Sequence, residues 1–305
     1  MKLGPQVTAL LVIGLGWGMT VPLTKIAVST GYQPMGLIFW QAAIGAVVLG
    51  AILIVSGRRF RPNRRQWAMA LLIALTGTIL PDLFSYRAAV HLPGGILAII
   101  LSFVPIISFP LAIMMANDVF SWRKLVGLGL GLAAVLLIVG PDAALPDPAL
   151  AIWVAVALVA PACYALEGNV VARFGTAQMD ATQTLCLASL IATVLTGPLA
   201  LAEGVFILPK QLGAPELALL LSATIHAFVY AGYVWLVGRA GPLFSVQVSY
   251  LVTTSGVIWS MAMLGERPAP LIWVSLIVLL AGMTLVQPRP ARGQSDSLPE
   301  PPSAA

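Results

Sequence analysis

This sequence has little charge. Sixteen Lys and Arg and eleven Asp and Glu leave 9% of its 305 residues charged, against roughly 25% in soluble domains, and the longest polar stretch is the tail from about Pro288 to Ala305. A water-facing surface cannot be built from so little charge, so an aqueous domain of any size is excluded. Cysteine is nearly absent too: Cys163 and Cys186 lie in separate apolar runs without metal-like spacing, which excludes a disulfide framework and a zinc site. No HExxH, GxxxxGK[ST] or GxSxG pattern occurs, so nothing points to an enzyme or to direct use of ATP, and no cofactor is expected. The net charge of +5 is read as loop arginines that set membrane topology rather than as a nucleic-acid surface.

Long apolar runs fill the space that charge leaves. Residues are 59% hydrophobic and the mean hydropathy is +0.97. A helix needs about 20 apolar residues to cross the hydrocarbon core, and cutting at Pro, Gly and charge clusters predicts ten: about 5 to 28, 34 to 56, 67 to 87, 93 to 116, 123 to 140, 150 to 171, 181 to 203, 214 to 237, 242 to 264 and 269 to 287. The runs lack the alternation of a membrane barrel, which leaves an all-α bundle. The first run, Val7 to Ala27, is too long for a signal peptide and has no small-residue cleavage site after it, so it reads as an uncleaved helix. Of the sixteen basic residues, Lys25, Arg87, Lys210 and Arg267 fall on one side of such a bundle and the other twelve, including Lys2, Arg289, Arg292 and the cluster Arg58 to Arg65, on the other. The positive-inside rule then puts both termini in the cytoplasm.

Sliding the sequence against itself by 147 residues superposes the predicted helices without a gap. Tyr86 meets Tyr233, Gly94 meets Gly241, Ser102 meets Ser249, Met114 meets Met261, Ala134 meets Ala281, and Trp17 meets Tyr164, an aromatic pair. A five-helix repeat has an odd number of spans, so its two copies insert in opposite senses. The expected organisation is a first repeat over 1-145, a second over 146-287 and a disordered cytoplasmic tail over 288-305. Inverted repeats that pack in two nearly equivalent ways open a shared central site first to one side and then to the other, which points to a carrier. A drug or nucleotide-sugar carrier, or a non-transporting membrane subunit, are the alternatives.

Several short motifs run in order along both halves: Trp17-Gly18, Pro22 and Lys25 in the first helix; Tyr86-Arg87-Ala88-Ala89, Pro93-Gly94-Gly95, Ala98 and Ser102-Phe103-Val104-Pro105 in the third and fourth; and Leu264-Gly265-Glu266-Arg267 at the end of the ninth. In these the chain resembles the EamA family of the drug/metabolite transporter superfamily over nearly its whole length, to about Gln287. It departs in having Asn117-Asp118 where a Gly-Glu is usual and Val252 where the fourth helix has Pro105. The resemblance implies ten helices around a central cavity, with the fifth and tenth peripheral, and export of small metabolites such as amino acids, aromatic or other neutral ones among them, across a bacterial inner membrane. The expected partners are a neutral or zwitterionic small molecule and the lipid bilayer, and the expected unit is a monomer.

Polar groups at membrane depth are costly and usually face the bundle interior. Counting inward from the helix ends places Trp17, Ser102, His226, Gln247, Tyr250 and Thr253 near the midplane. His226, Tyr230 and Tyr233, spaced i, i+4 and i+7, share one face of the eighth helix; they either form an aromatic wall for a planar substrate or its carboxylate, or pack as a core face. Asp82 and Tyr86 share a face near the end of the third helix. Asp82 is expected to attract a substrate ammonium, to bind a proton, or to pair with Arg87 or Lys25. Tyr164, by its correspondence with Trp17, joins the substrate-binding set. Glu167 serves in gating or snorkels to the interface, and Pro105 in mid-helix marks a bend that a gate would use.

Overall fold

The computed structural model describes residues 4–57, 61–139, 145, 147–208, 212–240, 242–245 and 247–286. The expected tail 288-305 and the topology residues Lys2, Arg58, Arg59, Lys210, Arg289 and Arg292 lie outside them. Among the described residues the fold is all-helical, and we number ten long helices: α1 Pro5–Ala27, α2 Pro34–Val55, α3 Arg64–His91, α4 Gly94–Met114, α5 Trp122–Val139, α6 Ala151–Phe174, α7 Ala181–Ala202, α8 Ala214–Ala240, α9 Val248–Leu264 and α10 Pro270–Val286. The first eight are long and apolar enough to cross a membrane, and α9 and α10 are shorter apolar helices. With short connections the helices alternate in direction. The face where α1 begins is called the near face and the opposite one the far face.

The 147-residue offset read from the sequence carries α2 onto α7 end for end and α5 onto α10 within one residue. Packing repeats the same relation: α1 lies against α8 and α9 as α6 lies against α3 and α4, α2 against α8 as α7 against α3, while α2–α7 and α5–α10 pair each element with its own counterpart. Two antiparallel five-helix repeats related by a pseudo-twofold axis give this pattern. Small residues permit the closest approaches. A Cβ on Gly18 of α1 would lie 2.8 Å from the Gly256 nitrogen and 3.0 Å from the Val252 carbonyl oxygen of α9, and one on Gly127 of α5 would lie 2.7 Å from the Gly282 carbonyl oxygen of α10.

Three departures from the expected elements have local causes. Helix α3 begins at Arg64, earlier than the hydropathy suggests, because Asn63 and Gln66 form a reciprocal capping box with bonds of 3.0 and 2.8 Å, and the arginines occupy its first turn beyond the apolar zone. Within α3 the chain widens into a π turn at Leu75–Ile79, just before Pro81, which has no N–H to give the Gly77 carbonyl. Helix α4 breaks into Gly94–Leu101 and Val104–Met114. Pro105 leaves the Leu101 carbonyl without its donor, and the chain tightens so that the Ser102 and Phe103 amides bond Ile99 and Ile100 at 3.1 and 3.0 Å. Similarly, the expected ninth helix is divided into a single turn, Pro242–Ser245, and α9 proper.

On the far face, charged side chains clamp the α3–α4 turn from two sides. Lys25 donates to the Ala89 and Leu92 carbonyls at 2.8 and 2.7 Å, at the negative end of α3. Glu266, from the α9–α10 connection, accepts from the Gly94 and Gly95 amides at 2.7 and 3.0 Å, at the positive end of α4. Tyr32 reaches Glu216 at the same face, and that hydrogen bond, with burial behind it, raises the phenol above its ordinary value. On the near face the corresponding connection carries Asn117-Asp118 and does something else. Asn117 donates to the Asn169 carbonyl at 2.8 Å, while Asp118 binds Lys124 and the Val119 amide. Burial pushes the Asp118 carboxyl up, but those two partners together hold it below its ordinary value. Glu266→Ala is expected to orphan two amides at about 1 kcal/mol each, lowering the thermal midpoint in detergent and speeding hydrogen exchange in a peptide covering 94–101; unchanged exchange there would refute the clamp.

Candidate functional site: a central cavity between the two halves

A cavity of about 420 Å³ runs between the repeats, lined by α1, α2, α3, α4, α6, α7, α8 and the start of α9; no residue of α5 or α10 reaches it. Its volume lies in the range of small-molecule sites. The peripheral place of α5 and α10 follows from their apolar, glycine-notched contact with each other.

Most of the expected site residues come together here: Trp17, Asp82, Tyr86, Ser102, Tyr164, His226, Tyr230 and Tyr233, with Pro105 and Glu167, all line the cavity. Trp17 is the hub of one wall. Its ring meets His226, Tyr230 and Tyr233 of α8 edge-on, with centroids at 5.6, 6.1 and 5.9 Å, so the stripe read from the sequence is an aromatic wall closed by a residue of α1. Elsewhere in the first repeat Asp82 accepts from Gln41 Nε2 at 2.7 Å, and Tyr86 donates to the same amide's oxygen. The expected alternative of an ion pair does not form: Lys25 is engaged by backbone carbonyls and Arg87 is exposed. Glu167 does not snorkel. It turns into the cavity and packs against the π turn of α3 at Gly77.

Three residues assigned to the cavity, Gln247, Tyr250 and Thr253, do not line it. Gln247 sits exposed before the first turn of α9, and Tyr250 turns into the main apolar core, where its hydroxyl is buried without a hydrogen-bond partner. Depth counted from the helix ends does not fix which face of α9 a residue occupies: Val248, Ser249 and Val252 line the cavity, whereas Tyr250 and Thr253 do not. Thr253 is fully buried behind the wall, donating to Ser102 Oγ at 2.5 Å, and Ser102 donates to the Ala98 carbonyl at 2.9 Å. That chain ties the broken part of α4 to α9. Sequence reasoning missed Gln41, Thr20, Thr24, Ser85, Ser189 and Ser222, all in the lining. A signal existed for two of them, since Thr20 and Thr24 follow Trp17 at i+3 and i+7, and for Gln41, a lone amide in an apolar helix.

Restoring the missing donor by Pro105→Ala is expected to straighten α4, raise the thermal midpoint and slow turnover severalfold, as read from flux and unfolding together. An unchanged rate would mean that the bend is static.

A model of the EamA-like transporter family matches residues 5–140 and again 151–287. The chain belongs to the EamA-like transporter family. It is a multi-pass membrane transporter, then, and not an enzyme. Among curated proteins it is similar to a probable terminal-alkyne amino-acid exporter of Streptantibioticus cattleyicolor (strain ATCC 35852 / DSM 46488 / JCM 4925 / NBRC 14057 / NRRL 8057), 27% identical over 295 residues, 95% of either chain. A crystal structure of another protein superposes with a TM-score of 0.61 at 17% identity, covering 92% of this chain and 95% of that one, which speaks for the fold alone. Both comparisons span nearly the whole EamA-like chain and so take in both halves of the cavity.

Proposed function

We propose that this EamA-like chain is a secondary carrier that exports amino acids, aromatic or other neutral ones foremost, from the bacterial cytoplasm by alternating access, with the near face and both termini cytoplasmic. The observation that carries the reading is the cavity itself: an aromatic and hydroxyl-lined space, set where the two inverted repeats meet and bounded by broken or widened segments of α3 and α4. Aromatic faces suit an apolar or planar side chain, while the hydroxyls, the Gln41 amide and the carboxyls suit its polar end. The similarity to an amino-acid exporter supports the same substrate class, and the asymmetry of Lys and Arg supports the orientation. The cavity binds its cargo from the near face, and rocking of the repeats about the α2–α7 and α5–α10 contacts exposes it to the far face.

The test is flux of labelled phenylalanine, tryptophan, threonine and methionine through proteoliposomes of the purified protein, with His226→Ala as control. Flux of at least one, reduced severalfold by the substitution, is expected. Folded protein that moves none of them would overturn the assignment in favour of a drug or nucleotide-sugar carrier or a membrane subunit.

A further inference from the structure

The cavity wall carries a charge imbalance. Among the described residues that line it, Asp82 and Glu167 are acidic and no Lys or Arg is present; the remaining polar side-chain groups are hydroxyls, the Gln41 amide, the Trp17 indole N–H and the His226 imidazole. A carboxyl group at membrane depth is costly unless it is partnered. The fold offsets that cost for Asp82 with only one donated hydrogen bond, from Gln41. For Glu167 it offers none among the described residues.

Glu167 is nonetheless housed with care. Its carboxyl lies against the backbone of Gly77, in the π turn of α3, so closely that a Cβ at Gly77 would fall 2.8 Å from the carboxyl carbon and 3.0 Å from Oε1. Tyr164, one turn before it on α6, and Tyr230, across the cavity on α8, lie within electrostatic range of it, and Tyr164 lies within range of Asp82 as well. Asp82 lies five residues beyond Gly77 on α3, toward the far face. The result is a carboxyl group without a protein donor among the described residues, with two phenols in electrostatic range and a second carboxyl further toward the far face. Carboxylate and aromatic faces together are what an organic ammonium needs: a counter-charge, hydrogen-bond acceptors and cation–π contacts. A substrate carboxylate meets no Lys or Arg among the described lining residues.

We infer that the cavity recognises its cargo by the ammonium group, with Glu167 as the principal contact and Asp82 as a second station on the path to the far face, and that the cargo's carboxylate is dispensable for binding. This deepens the carrier reading and rests on it. Gly77 acts as a positioning residue, because only a residue without a side chain leaves the carboxyl its place.

The test is binding to the purified protein in detergent, followed by tryptophan fluorescence and calorimetry, of three probes with one side chain: phenylalanine, its methyl ester, which keeps only the ammonium, and N-acetylphenylalanine, which keeps only the carboxylate. The ester is expected to bind at least as tightly as phenylalanine and the N-acetyl compound at least tenfold more weakly. Glu167→Gln, isosteric and with the unfolding midpoint as its folding control, is expected to weaken the ammonium-bearing probes at least tenfold. Gly77→Ala shifts them the same way without changing charge. Equal binding of the N-acetyl compound, unchanged affinity in Glu167→Gln, or no binding of either ammonium-bearing probe to the wild-type chain would overturn the inference. Flux separates it from the carrier reading: phenylalanine transported alongside an equally transported N-acetylphenylalanine sinks the inference alone, whereas Glu167-dependent binding of phenylalanine without flux sinks the carrier reading alone.

Discussion

Substituting valine for Gly18 is expected to destabilise the protein by roughly 3 kcal/mol and to abolish transport. The estimate follows from the cost of overpacking, typically 1 to 3 kcal/mol and occasionally more, and Gly18 belongs at the upper end because what a side chain would meet is largely backbone. Its Cβ would approach the Gly256 nitrogen to 2.8 Å and the Val252 carbonyl oxygen to 3.0 Å and would overlap Ser255 Oγ, and a helix backbone cannot swing aside as a flexible side chain can. Ser255 also donates to the Gly14 carbonyl at 3.1 Å, so separating α1 from α9 breaks a hydrogen bond at the same contact. On the other side of α9, Gly256 faces Ala98 of α4 with equally little room. The three helices thus share one seam, and Trp17 beside it would be carried out of the cavity wall. Unfolding midpoint and flux measured on one preparation check this, with Gly18→Ala intermediate; a valine variant of wild-type stability would show that α1 and α9 do not pack as closely as described.

Trp17→Ala is expected to leave the protein folded and to raise the KM for an aromatic substrate at least tenfold. The indole makes edge contacts with His226, Tyr230 and Tyr233, each worth about 0.5 to 1.5 kcal/mol. Without it the α8 rings lose their common support and the cavity widens on the side where a substrate ring would rest. Because a membrane bundle draws its stability from many helix contacts, loss of one cavity-facing ring falls more on binding than on folding. Trp17→Phe retains a ring and is expected to recover most of the affinity. Equal losses in the two variants would assign the effect to the indole N–H instead of the ring.

Membrane insertion, the helix count and the repeat were legible because the bilayer imposes them residue by residue: backbone groups must be satisfied within each span, spans need about 20 apolar residues, and an odd number of them per repeat forces inversion. The aromatic stripe on α8 was legible for a related reason, since i, i+4 and i+7 share a face of any helix. Counting inward succeeded for Trp17, Ser102 and His226 but failed for Gln247, Tyr250 and Thr253, because depth along a helix does not say which face looks inward. The same counting could not show that Gln41 holds Asp82 or that Glu167 turns toward Gly77, as both contacts join helices that are remote in sequence. From the sequence alone came the bundle, its twofold plan and the polar residues available to a site, for these depend on short-range periodicity and on the solvent the chain must meet. Which of those residues share the cavity, and that no Lys or Arg stands beside its acids among the described lining residues, only the tertiary structure decided, because helix rotation is set by interhelical packing such as that of Gly18 on Gly256, which no local pattern encodes.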